Sequence, residues 1–135
     1  MSYRIVLPLS VKQTKAKWFH LNLNVYRNTH YQTLNKVKVN YAKLIAKRIA
    51  KLPTFSEKIA IQYTLYVGSK RKCDISNVCC IVDKFFCDEL TKACKIPDDN
   101  YDVIPEVSYC FGGYRKNHPH VIATIYTIQE LENEN

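Results

Sequence analysis

The sequence predicts one small domain of the mixed α/β (α+β) class, with a sheet of about four strands and two main helices. Two segments have the periodicity of amphipathic helices, and four apolar segments have the length and alternation of strands. A chain of 135 residues with 47% hydrophobic content can form one substantial core. We therefore expect a domain over residues 1–129 and an acidic C-terminal tail, residues 130–135, that frays.

The first half predicts a strand, a connection and a helix. Residues 3–9 form the strand, and residues 10–31 form a polar, aromatic and basic connection with a short extended piece at most. Residues 32–52 follow the 3.6-residue period of a helix, which Pro53 ends. Its predicted core positions are Leu34, Val37, Tyr41, Leu44, Ile45, Ile49 and Leu52. On the opposite side lie Lys36, Lys43, Lys47 and Lys51.

The second half begins with a strand and a helix. Ile59–Val67 alternates apolar and polar residues as a strand does, and Gly68 breaks the pattern. Residues 76–94 form the second helix, with Asp74 or Ser76 as its N-cap.

Two further strands complete the sheet. Residues 103–111 and 121–128 are apolar and rich in strand-forming side chains. The pair Gly112-Gly113 between them predicts the turn that joins them.

The six cysteines contain no C-x-x-C pair. Cys80, Cys87 and Cys94 recur every seven residues, as expected along one stripe of a helix. Because free cysteine packs as a small hydrophobic residue, we expect most of them to be reduced core thiols rather than zinc ligands or a disulfide framework.

Charge is distributed very unevenly along the chain. Residues 1–72 contain 15 Lys and Arg against one acid, whereas residues 73–135 contain 5 against 11. A polyanion is attracted to the first half, and the second half concentrates the carboxylates that a divalent cation needs. The pattern favours a nucleic-acid partner over an unevenly charged solvated surface.

No apolar run is long enough to span a bilayer, and the N-terminus lacks the features of a secretory signal. We therefore expect no membrane partner and a cytoplasmic location.

The second helix and the residues after it carry the candidate chemistry. Lys84 and Asp88 are one turn apart on one face, and Asn77 continues that stripe towards Asp74. The acid pair Asp98-Asp99 follows the helix. These groups are expected to converge on one cleft, the alternative being a surface ion pair and an ordinary turn.

The strings D-x-x-N, K-x-x-x-D-x-L-T-K-A and I-P-D-D in this segment resemble the RusA-type Holliday junction resolvases. The resemblance matches Asp74 to the first acid, Lys84 to the catalytic lysine and Asp88 to the helical acid, with Asp98-Asp99 as the late pair. It implies a RusA-like fold and a site that binds Mg²⁺, with Mn²⁺ as a possible substitute.

Two departures from the family pattern affect this site. Ser76 stands where the family commonly has a second acid, and the spacing from Asp74 to Lys84 is about four residues longer. Either Asp83 or Asp88 supplies the missing carboxylate, or the site has lost a ligand and binds junctions without cutting them.

The resulting expectation is a Mg²⁺-dependent endonuclease that resolves four-way DNA junctions in recombination and repair, as a homodimer in a bacterial or phage-infected cell. Alternatives are a non-catalytic branched-DNA-binding or regulatory module and a flap- or nick-directed nuclease.

The catalytic candidates are Asp74, Lys84, Asp88 and Asp99. The metal candidates are Asp74, Asp88, Asp98, Asp99 and Asp83. The DNA-binding candidates are Lys70, Arg71, Lys72, Asn77, Arg27, Lys36 and Lys43. Trp18, Phe19, Tyr26 and Tyr31 either stack on exposed bases or pack in the core.

Overall fold

The computed structural model describes residues 2–128, so the expected frayed tail lies outside the described residues. The strands are β1 (Tyr3–Pro8), β2 (Ser10–Lys12), β3 (Trp18–His20), β4 (Ile59–Val67), β5 (Glu106–Tyr114) and β6 (His120–Thr127). The helices are α1 (Leu23–Arg27), α2 (Tyr31–Ala50) and α3 (Ile75–Lys92).

The main sheet has four strands in the order β1-β6-β4-β5, which confirms the predicted mixed sheet. β6 is antiparallel to both of its neighbours, whereas β4 and β5 are parallel. A parallel pair needs a long crossover connection, and α3 supplies it. The N-terminus of α3 therefore follows the end of β4, and its C-terminus leads back towards the start of β5.

The core lies between this sheet and the helices. On β4, Ile59, Ile61, Tyr63 and Leu65 are buried, as the alternation predicts. The α2 residues Val37, Tyr41, Ile45 and Ile49 are also buried, and the Tyr41 hydroxyl donates to the carbonyl of Pro8 at 2.9 Å. Leu44, predicted to face the core, is instead 50% exposed, because it lies at the margin of this stripe.

Residues 10–31 contain more structure than predicted. β2 and β3 form a two-stranded hairpin, in which Val11 pairs with Phe19 and both side chains are buried. The short helix α1 follows, and its N-cap Asn22 accepts a hydrogen bond from the backbone N–H of Val25 at 2.9 Å. The few apolar side chains in this polar segment are sufficient to pack it against the core.

The glycine pair does not form the turn that was predicted. Gly112 and Gly113 lie within β5, and β4 separates β5 from β6 in the sheet. The chain turns after β5, where the backbone N–H of His118 donates to the carbonyl of Arg115 at 3.0 Å. Within residues 2–128, no helix is both long and apolar enough to cross a membrane.

Candidate metal and nucleic-acid site

The first predicted acid stands at the start of α3. Asp74 occupies the N-cap position with extended backbone, but its side chain accepts no capping hydrogen bond from the helix. It instead accepts a hydrogen bond of 3.4 Å from the side-chain amide of Asn77, one turn later. Asp74 is exposed to solvent, and its carboxylate makes no hydrogen bond to the helix backbone.

The opposite end of α3 carries the acid patch, defined here as Asp88, Asp98 and Asp99. The Asp98 carboxylate accepts from the backbone N–H of Asp99 at 2.8 Å and from the side-chain amide of Asn100 at 3.1 Å. Partial desolvation, a hydrogen bond with Asp98 and the negative charges of Asp98 and Asp88 raise the pKa of Asp99. Asp99 therefore lies within the electrostatic influence of both Asp98 and Asp88.

The structure does not bring Asp74 to the acid patch. Asp88 follows Asp74 by 14 positions along one continuous helix, so the two lie roughly 21 Å apart along its axis. Among residues 2–128, no three His, Cys, Asp or Glu side chains are grouped so that they could hold a metal ion. The single cleft expected from the spacing is therefore divided, within one chain, between the two ends of α3.

Lys84 lies one helical turn before Asp88 and is exposed. Its Nζ atom is 5.6 Å from the centroid of the Tyr26 ring, which directs the ammonium group over α1. A second cation, Lys38 of α2, shares a small crevice with Asp88. No signal in the sequence pointed to Lys38, since only the packing of α2 against α3 places it beside this carboxylate.

Asp83 has a different environment from its neighbour Lys84. Its Oδ1 atom accepts from the hydroxyl of Tyr63 at 2.5 Å and from the thiol of Cys87 at 3.2 Å. Burial is the largest cause of the raised pKa of Tyr63, its contacts with Cys87 and Asp83 raise this pKa further, and the phenol stays protonated. Because successive helix residues differ by about 100° in direction, Asp83 faces the sheet and not the stripe of Lys84 and Asp88.

The predicted DNA-binding cations are exposed but do not form one cluster. Residues 68–73 connect β4 to α3 and are called the basic loop, after Lys70, Arg71 and Lys72. Arg27 ends α1 near Cys80, whose pKa is raised by burial and by Asp83 but lowered by the charge of Arg27. Lys36 and Lys43 are exposed on α2. The side-chain amide of Asn77 donates a hydrogen bond to the Asp74 carboxylate.

The four aromatic candidates divide between core and surface. Phe19 is 1% exposed and stacks on Phe85, so it is a core residue. Tyr26 packs edge-on against the same ring. Trp18 and Tyr31 are largely exposed, although the Lys12 Nζ atom lies 4.4 Å from the centre of the Trp18 ring.

The cysteine thiols are all free, and their burial is mixed. Cys79 and Cys87 are buried, as expected for core thiols, and Cys80 and Cys110 are partly buried. Cys73 and Cys94 are exposed. Cys94 does not continue the helical stripe, because α3 ends at Lys92 and Cys94 adopts a positive φ of 58°.

Comparison with models of known protein families gives no match for this chain, and comparison with curated proteins gives none either. The resemblance to RusA-type resolvases consequently stays a prediction. Any functional conclusion depends on the charges and contacts of this chain itself.

Proposed function

We propose that this protein is a Mg²⁺-dependent, structure-specific endonuclease that cleaves branched DNA, with the four-way junction as its substrate. The observation that carries the proposal is the clustering of Asp88, Asp98 and Asp99 at the C-terminal end of α3. Desolvation and, to a smaller extent, the charges of Asp98 and Asp88 raise the pKa of Asp99, and a divalent cation would offset these negative charges.

The residues present fit Mg²⁺, and Mn²⁺ as a substitute. Mg²⁺ is commonly held by one or two carboxylates together with water and substrate phosphates, so a preassembled group of three protein ligands is not required. Asp88, Asp98 and Asp99 offer oxygen ligands of this kind. When bound, the ion supplies Lewis-acid stabilisation of charge on a phosphate oxygen.

The cations around the acid patch act on the DNA. Lys84, one turn from Asp88, stabilises negative charge that develops on the phosphate or on the leaving oxygen. Lys38, on the facing helix, holds a neighbouring phosphate. The flanking strands are bound through sequence-independent phosphate contacts, which are made by the basic loop, Arg27, Lys36 and Lys43.

A C2 homodimer accounts for the distance between Asp74 and the acid patch. If a second copy associates so that the two α3 helices run in opposite directions, Asp74 of one protomer approaches Asp99 of its partner. Two identical composite sites then form across the two-fold axis, which matches the two-fold symmetry of a four-way junction.

The direct test is incubation of the protein with labelled four-way, flap and linear duplex DNA, with Mg²⁺, with Mn²⁺ and with EDTA. We expect paired cuts in the four-way junction that require either metal. Cutting of flaps in preference to four-way junctions would identify a flap- or nick-directed nuclease. Binding of junctions with no cutting under any condition would contradict nuclease activity.

The composite site has its own test. Asp74→Asn and Asp99→Asn chains are each expected to be inactive, whereas a mixture of the two restores one intact composite site per heterodimer. Recovery of part of the wild-type cutting on mixing supports the dimer. A monomer mass by light scattering both free and on the junction, with cutting still paired, would contradict it.

The same separation favours a second candidate, a non-catalytic module that binds branched DNA. In a chain that stays monomeric, Asp74 cannot join the acid patch, and Ser76 contributes no charge. Such a module would bind four-way junctions in EDTA and in Mg²⁺ with equal affinity and would leave them uncut.

A further inference from the structure

An apolar cleft of about 430 Å³ opens between the basic loop and the end of β5. Leu65 and Val67 of β4 and Ile75 of α3 form its inner wall. Phe111 and Tyr114 of β5 form its outer wall, and the loop cations form its rim. Cys73 and Ile75, which line the cleft, flank Asp74 directly in the chain.

A β-bulge places the two aromatic rings in this cleft. In a regular strand, residues three apart such as Phe111 and Tyr114 face opposite sides. Here Phe111 pairs with Leu65, and the register then shifts so that Tyr114 pairs with Val67. Leu65 and Val67 face the same side of the sheet, so Phe111 and Tyr114 do as well.

Only glycine fits at the bulge. A Cβ atom on Gly112 would lie 2.6 Å from the Tyr66 ring and 2.7 Å from the Thr64 methyl carbon. Gly113 has a φ of 135°, which side chains rarely adopt. The glycine pair that suggested a turn therefore serves to direct Tyr114 into the cleft.

The cleft combines exposed aromatic surface with positive charge. Phe111 is 57% exposed and Tyr114 is 41% exposed, although both belong to a strand that has core-facing residues. In the described part of the chain, no carboxylate forms an ion pair with Lys70, Arg71 or Lys72. Flat apolar rings beside the cations of the basic loop complement a ligand with a flat apolar group and an adjacent anion.

We propose that this cleft binds one unpaired nucleotide of a DNA strand. The base lies against Phe111 and Tyr114, and the flanking phosphates contact the basic loop. The identity of the ligand depends on the proposed function, in that DNA is taken as the substrate. The cleft is separate from the acid patch, however, and needs no metal.

The experiment measures binding in EDTA of a labelled single strand of about 10 nucleotides and of the matching duplex. Phe111→Leu and Tyr114→Leu keep apolar volume but remove the stacking ring. Each is expected to lower single-strand affinity about tenfold and to leave duplex affinity unchanged. Val107→Leu, on the same face of β5 but outside the cleft, is the matched control, and Phe111→Trp should bind as the wild type does.

Abasic substitution tests whether a base enters the cleft. Replacing one base of the strand by an abasic residue should lower wild-type affinity at one position and leave Phe111→Leu unaffected there. Unchanged single-strand affinity in both leucine variants, or an equal loss on duplex, overturns the proposal. These outcomes do not depend on cutting. If the wild-type protein cuts junctions and the leucine variants bind single strands normally, only the proposal of nucleotide binding in the cleft is rejected. If single-strand binding depends on the two rings but no junction is cut, only the proposal of nuclease activity is rejected.

Discussion

The N-terminal end of α3 lies beside the three cations of the basic loop and the aromatic cleft. Its C-terminal end lies beside the three carboxylates of the acid patch. Cations beside aromatic rings are typical of nucleic-acid-binding surfaces, and clustered carboxylates are typical of cation-binding surfaces. One 18-residue helix fixes the distance between them. Under the proposed function, this contrast assigns DNA binding and metal binding to opposite ends of α3, and the proposed dimer brings Asp74 to the acid patch of the second copy.

The largest expected effect comes from removing a carboxylate at either end. Asp74→Asn or Asp99→Asn should reduce cutting of four-way junctions about a thousandfold, because a metal ion contributes several kcal/mol of charge stabilisation. DNA binding should stay equal or become tighter, since each change removes repulsion of phosphate. The measurements are cutting rates in Mg²⁺ and binding in EDTA.

The two substitutions also test whether both ends serve one site. Equal loss of cutting in both variants supports a composite site. Wild-type rates in Asp74→Asn with loss only in Asp99→Asn would confine the chemistry to the acid patch, and Glu57→Gln is a matched control for removal of one exposed carboxylate elsewhere.

Lys84→Ala is expected to lower the cutting rate about a hundredfold, as removal of one donor to a developing charge does. The affinity for junction DNA should change little, because many other phosphate contacts are retained. Lys47→Ala, an exposed lysine on α2, serves as the control. A loss of affinity with an unchanged rate would reassign Lys84 to ground-state binding.

Neutralising Lys70, Arg71 and Lys72 together to Gln should weaken DNA binding about tenfold and reduce the salt slope by about three, one for each phosphate that the loop no longer neutralises. The measurement is a titration of labelled junction DNA at several salt concentrations. An unchanged slope would show that the basic loop is solvated and does not touch DNA, and the contrast between the two ends of α3 would then lose its DNA-binding half.

The sequence was sufficient for the elements that have a strong period. β4 has the predicted bounds, and α2 and α3 differ from prediction by one or two residues at each end. The alternation in β4 and the helical stripes predict which side is buried, because burial follows directly from these periods. The sheet order is not encoded in such local patterns, so the position of β4 between β5 and β6 became known only from the fold.

Two features of the candidate site show the same limit. Helical spacing placed Lys84 and Asp88 correctly on one stripe, but it gave no indication that Asp74 lies far from Asp99, since that distance depends on the uninterrupted length of α3. The bulge at Gly112 depends on packing against Tyr66, and a glycine inside a strand pattern was its only signal in the sequence.

The smallest expected effect concerns the middle of α3, where Asp83 is attached to the sheet. Asp83→Ala should lower the free energy of unfolding by about 1–3 kcal/mol, because it leaves the buried Tyr63 hydroxyl without its carboxylate acceptor. Asp83→Asn keeps an acceptor oxygen and should lose less, and denaturant unfolding measures both. Cutting by the folded Asp83→Ala protein should stay near the wild-type rate, since this carboxylate faces Tyr63 and Cys87. Loss of cutting without loss of stability would instead indicate that Asp83 replaces the family acid at whose position Ser76 stands. The middle of α3 would then belong to the metal site.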